Sequence, residues 1–167
     1  MKRIKHTFTN IESDITSIMT LASSLGFRRI NSSDRINCSI HDKLETPSDY
    51  EFISFKRVIS NTELFNAIEK LASKIGLNNQ ILSSSLLKFE PNDYLQWSEV
   101  DIWEENTIGK FFSIALSDNK IEFKDKTEIV PKYSAIEFNT GDVHRIKNVE
   151  STQYWLVLMV PDHLLLN

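Results

Sequence analysis

The hydrophobic pattern of this chain changes period after Gly76, and that change limits its folds more than any other feature. Before Gly76, apolar residues recur at steps of three and four. Ile11, Ile15, Ile18, Ala22 and Leu25 line one face of a helix; Asn10 is placed to cap its start and Gly26 to end it. A second helix is expected over 62–75, with Leu64, Phe65, Ile68, Leu71, Ala72 and Ile75 on its apolar face. Ser60 and Glu63 have capping-box spacing, and Gly76 sits at the stop. Between the helices, 50–59 (YEFISFKRVI) reads as a strand, and 31–48 as a polar loop with a short strand near 36–40.

After Gly76, strand-like runs follow at 81–89, 94–103, 110–116, 121–123, 135–138, 143–149 and 154–160. Polar breaks separate them, among them Pro91-Asn92-Asp93, Ser117-Asp118-Asn119, Asp125-Lys126 and 139–142. Many short strands with regular turns imply a sandwich or small barrel. The expected class is therefore α+β, with N-terminal helices packed on a C-terminal barrel or jelly roll. At 167 residues the chain reads as a single domain, 1–167. Within it, 1–78 is a helical and strand support region and 79–162 the barrel core.

Composition excludes several classes. The net charge of −4, with acids and bases interspersed, gives no footing for nucleic acid or an anionic membrane. Cys38 is the only cysteine, so neither an internal disulfide nor a cysteine-rich zinc site can form. The N-terminal MKRIKHTFTN lacks the apolar run of a signal peptide, and the apolar run 155–161 is too short to span a bilayer. A cytoplasmic protein is expected, with oligomerisation left open. No phosphate-binding glycine loop, serine elbow or zinc-protease helix motif occurs.

The stretch PKYSAIEFNTGDVHRIKNVESTQYWLVLMV, 131–160, carries the candidate chemistry. His144, one of four histidines, opens a strand directly after a tight turn, and Asn148 follows it. Here the chain resembles the cupin and 2-oxoglutarate/Fe(II) oxygenase families, which share the double-stranded β-helix. Gly141, His144 and Asn148 match the order of the second cupin motif, with Asn139 where that motif has proline. LLKFEPNDYLQWSEVDIW resembles the early oxygenase strand and its preceding turn, and IGKFFSIALSDN the strand after it. The resemblance covers roughly 86–160.

The resemblance implies a metal, Fe(II) or another divalent ion, and 2-oxoglutarate as cosubstrate. His144 would be the distal histidine ligand. No histidine occurs in 94–103, where the oxygenases carry a histidine, one residue and an acid. Glu99 and Asp101 have that spacing and, two apart on a strand, would share a face; they are the candidate carboxylate ligands and acid–base groups. Such a set favours manganese or magnesium, or weaker iron binding. A second register puts Ser98 at the histidine's place and Val100 at the acid's, which removes the site. The arginine that holds 2-oxoglutarate would fall near Tyr154, which offers a hydrogen bond but no charge. Lys88 and Lys110 are the candidate substitutes, with Lys132 a further one. Arg145 and Lys147 alternate with His144 and should face the other way.

Each candidate has a plainer reading. His144 can simply hydrogen-bond at a strand start, with Asp142 the nearest partner. Glu99 and Asp101 can belong to a solvated edge with Glu104 and Glu105. Trp97, Trp103 and Trp155 read as core or pocket wall, His41-Asp42 as a surface loop or a lid, and His6 and His163 carry no assigned role. The leading expectation is a small oxygenase-like enzyme acting on a small molecule or side chain. The alternatives are a metal-free cupin-type isomerase, epimerase or cyclase using His144, Glu99, Asp101 or Tyr154 as acid and base, or a degenerate barrel that binds a ligand or protein.

Overall fold

The computed structural model describes residues 3–30, 50–56, 62–77, 81, 83–98, 109–139, 141–147 and 150–161. In chain order the elements are β1 (Ile4–Thr7), α1 (Glu12–Leu25), β2 (Arg28–Ile30), β3 (Tyr50–Lys56), α2 (Thr62–Lys74), β4 (Ser83–Phe89), β5 (Leu95–Ser98), β6 (Gly109–Ala115), β7 (Asn119–Phe123), β8 (Thr127–Val130), β9 (Ser134–Asn139), β10 (His144–Ile146) and β11 (Gln153–Pro161). The described residues thus form mostly strand with two helices, and the expected strand near 36–40 lies outside them.

Both helices form where the apolar stripes predicted, but their starts differ. Asn10 adopts a left-handed φ of 60° and Ile11 takes the cap position without a side-chain hydrogen bond, so the expected Asn10 cap is corrected. The Asn10 carbonyl instead accepts from Lys74 Nζ, which also pairs with the buried Asp14 at 2.9 Å and ties α2 to α1. The stop at Gly76 has φ 92°. The Gly76 N–H donates to Ser73 O (3.2 Å) and the Leu77 N–H to Ala72 O (2.8 Å), the paired bonds of a Schellman end. Ser60 lies outside the described residues.

The strands build two sheets. One has seven strands in the order β1-β9-β6-β11-β4-β3-β2, the other four in the order β5-β10-β7-β8, with every neighbouring pair antiparallel. Strands from before and after α2 therefore share the larger sheet. Three short strands escape a reading by apolar runs: β1, β2 and β8. Each is four residues or fewer and is held by ladder bonds to a longer neighbour.

Alternation along the larger sheet creates two cores. Phe112, Ile114, Leu86, Leu156, Leu158 and Val160 pack with Ile11, Ile15, Ile18 and Ala22 of α1 and with Leu64, Ile68 and Leu71 of α2. On the opposite face, Phe89, Ala115, Ile136, Phe138 and Trp155 meet Ile121, Phe123, Val130 and Ile146 of the smaller sheet. Burying one such side chain stabilises the fold by roughly 1.5–3 kcal/mol, so each core outweighs any single ion pair described below. Among the described residues, no helix is long and apolar enough to cross a membrane.

Candidate functional site

His144 opens β10, in the middle of the smaller sheet, and its imidazole is buried between the sheets. Three phenylalanines surround it. Phe138 and Phe111 meet it edge-on, with ring centres at 5.0 and 5.8 Å, and Phe123 is tilted at 6.3 Å. Phe111 and Phe138 come from the larger sheet and Phe123 from the smaller, so the ring sits where the two inner faces meet. Its Nδ1 lies 3.0 Å from the backbone carbonyl of Asp142. A carbonyl oxygen only accepts, so Nδ1 carries the hydrogen and donates it, leaving the Nε2 lone pair as the ring's acceptor. Burial pushes the imidazole below its ordinary pKa, against the opposing pull of the Asp142 carbonyl and carboxylate. The ring is therefore held neutral and in one tautomer. The hydrogen bond to Asp142 that the sequence suggested is present, through the backbone rather than the carboxylate.

The other candidate residues divide by face. Arg145 pairs with Glu122 at 2.7 Å and Lys147 with the same carboxylate at 3.4 Å, on the face away from His144, as alternation required. The Arg145 guanidinium holds the Glu122 carboxyl below the usual carboxylate range. Tyr154 packs with the helix-side core and tilts against Phe27. Lys88, its ladder partner, lies over the same Phe27 ring and pairs with Glu90 at 3.2 Å. Lys110 precedes inner-facing Phe111 and pairs in register with Val160 of the helix-side core, which puts it on that face too. Tyr154, Lys88 and Lys110 are thus not brought to His144; a whole sheet separates them from it. Lys132 lies over Tyr133, beside the 15–24 stretch of α1.

Counting residues from His144 reaches Tyr154, but the pleat turns its neighbours inward instead. Gln153 pairs with Phe89 and Trp155 with Ala115, both of the inner core. Among the described residues, Gln153 Oε1 and Trp155 Nε1 are buried without a hydrogen-bond partner. The sequence reading left Gln153 unremarked and took Trp155 only as core or pocket wall, without its polar nitrogen. The period-two rule applied to 153–157 was the signal that could have found them.

Glu99, Asp101, Asn148 and His41 lie outside the described residues. The ladder does set His144 opposite Ser98. For a divalent metal, His144 has the required chemistry: it is neutral, with its second nitrogen tied to a carbonyl. Among the described residues, no three histidine, cysteine or acidic side chains gather as a metal-holding group.

No protein-family model matches the sequence, and no curated protein matches it. Solved structures do. An oxidoreductase of the 2OG-Fe(II) oxygenase family from Burkholderia pseudomallei superposes with a TM-score of 0.69 at 8% identity, over 96% of this chain and 85% of that one. The fold is that of the 2OG-Fe(II) oxygenases. A viral collagen prolyl hydroxylase from Paramecium bursaria Chlorella virus-1, solved with 2OG, matches with a TM-score of 0.59 at 12% identity, over 95% and 94% of the two chains. A Pseudomonas putida prolyl-4-hydroxylase matches with a TM-score of 0.59 at 9% identity, over 95% and 92%.

Proposed function

We propose that this protein is a small 2-oxoglutarate/Fe(II) oxygenase-like enzyme with an atypical metal site, acting on a small molecule or a side chain. In this reading the chain is one domain, a double-stranded β-helix of β4 to β11 buttressed by α1 and α2, working in the cytoplasm without nucleic acid or membrane. One observation carries the reading: the neutral His144 imidazole, buried between the sheets with Nδ1–H fixed and Nε2 left as acceptor. Glu99 and Asp101 would complete the ligand set. The bound metal would supply the oxygen chemistry. The chain's own share is to orient the metal-facing nitrogen through Asp142, to exclude water with Phe111, Phe123 and Phe138, and to offer Gln153 and Trp155 as polar contacts for a bound acid or substrate.

The register opposite Ser98 favours a second reading, a barrel of the same fold that binds its ligand without metal. In that case His144 Nε2 accepts a proton or hydrogen bond directly.

Thermal unfolding with added iron(II) or manganese(II) separates the two. A ligand selective for the native state raises the unfolding temperature by mass action. The oxygenase reading expects a metal-dependent rise in wild type, a further rise with 2-oxoglutarate, and no rise in His144→Ala. No shift in wild type at saturating metal would end it in favour of the metal-free barrel.

A further inference from the structure

Arg3 enters none of the roles above, yet it grips the residue that orients His144. Its Nε donates to Asp142 Oδ2 at 2.7 Å and its Nη2 to Oδ1 at 3.0 Å, a two-point fork on one carboxylate. Its Nη1 pairs with Asp125 at 2.7 Å. The guanidinium carbon Cζ lies over the Phe123 ring, 3.8 Å from its centre, and that ring is one of the three around His144. The Asp142 side chain is 4% exposed and that of Arg3 14%, so the fork is largely shielded from water. Asp142 also donates its N–H to Asn139 O at 2.9 Å, closing the turn whose carbonyl receives His144 Nδ1–H. One guanidinium therefore braces both the turn and an aromatic wall of the site. A lysine could supply the charge, but neither the fork nor the flat face.

We propose that Arg3 is a positioning residue for His144. By locking the Asp142 turn it keeps the Asp142 carbonyl on Nδ1–H and so presents Nε2, and only Nε2, to whatever binds between the sheets. The proposal rests on His144 being the ligand-facing imidazole. Partners one step removed from a metal-binding histidine typically change metal affinity by about 10–100-fold.

Nitrogen-15 NMR of the imidazole, at a pH above its titration range, reads the tautomer with no metal present. Wild type should show a single Nδ1–H tautomer. R3A and R3K should lose it to a mixture, while D125A, which leaves the Asp142 fork in place, should keep it. Manganese(II) alone, titrated into the same proteins, should bind R3A and R3K more weakly than wild type, by up to about 10-fold, the low end of the range for a direct partner because Arg3 acts through Asp142. A natively folded R3A with an unchanged tautomer overturns the proposal. Should R3A not fold, an unchanged tautomer in R3K does the same, as does an equal loss in D125A. If wild type binds no manganese but the Arg3 variants still lose the tautomer, the positioning role stands and the metal reading falls.

Discussion

At the scale of single residues, two titrating side chains both make stability fall with falling pH, in different windows. Burial between Phe8, Phe112 and the rest of the sheet lowers the His6 imidazole below its ordinary 6.5, against the opposing charge of Glu137. The unfolded chain then takes up a proton at higher pH than the folded one. The His6 contribution is present above 6.5 and is lost as pH falls below it. Stability should decline between about pH 7 and 5, and His6→Phe should flatten that decline in unfolding curves measured across the range; an equal slope in the variant would assign it elsewhere. Asp93 acts lower. Burial alone would raise its carboxyl, but the Arg29 fork at 2.9 and 2.5 Å and the Glu90 N–H at 2.9 Å outweigh it and hold it below 3.8. Its contribution is present above 3.8 and disappears as pH falls through the folded value. Asp93→Asn should lower stability at neutral pH by about 1–3 kcal/mol, read from the urea midpoint. It should also soften the acid limb, and an unaltered midpoint would make the fork a surface ornament.

At the scale of elements, a tight approach of two strands makes a sharp test. Gly109 opens β6, where a Cβ would sit 2.8 Å from the backbone carbonyl of Val160 on β11. A backbone oxygen in a ladder cannot move aside as a flexible side chain would. Gly109→Ala should therefore destabilise by about 1–3 kcal/mol and speed amide exchange at the Gly109–Pro161 end of that ladder more than at the Trp155–Ala115 end. Uniform exchange along β11 would refute the local clash. Helix placement was legible because apolar stripes along helices of 14 and 13 residues average over local exceptions. The start of α1 was not, because the cap depends on one φ angle at Asn10, which its neighbours in space decide.

At the scale of the molecule, β1 straps the larger sheet to the turns of the smaller one. It pairs with β9 through its ladder, while Arg3 reaches Asp142 and Asp125 and Lys5 reaches the buried Glu128 of β8 at 2.6 Å. Lys126 holds the same carboxylate at 2.7 Å. Burial would raise the Glu128 carboxyl, but the two lysines outweigh it and keep it low. Each lysine is more than half exposed, so Lys5→Ala or Lys126→Ala alone should change stability by less than about 1 kcal/mol. The double variant leaves a buried carboxylate without a cation and should lose more than the sum of the two. Additivity in a double-mutant cycle would remove the shared-carboxylate account.

The sequence alone determined the periods: two amphipathic helices, most of the strands and the polar breaks between them, because side-chain alternation and turn chemistry are local. It also singled out His144, since a histidine beginning an apolar strand after a tight turn is a local pattern. Tertiary structure decided the rest. Short β1, β2 and β8 have no apolar run of their own and exist through ladder bonds to distant strands. Tyr154, through the resemblance, and Lys88 and Lys110, as lysines on barrel strands, looked like site residues, but one position of pleat puts them across the sheet from His144. The same pleat brings Gln153 and Trp155 inward. Arg3 meets Asp142 across 139 positions of chain; no local pattern carries a contact of that separation, because it is made only when the sheets close.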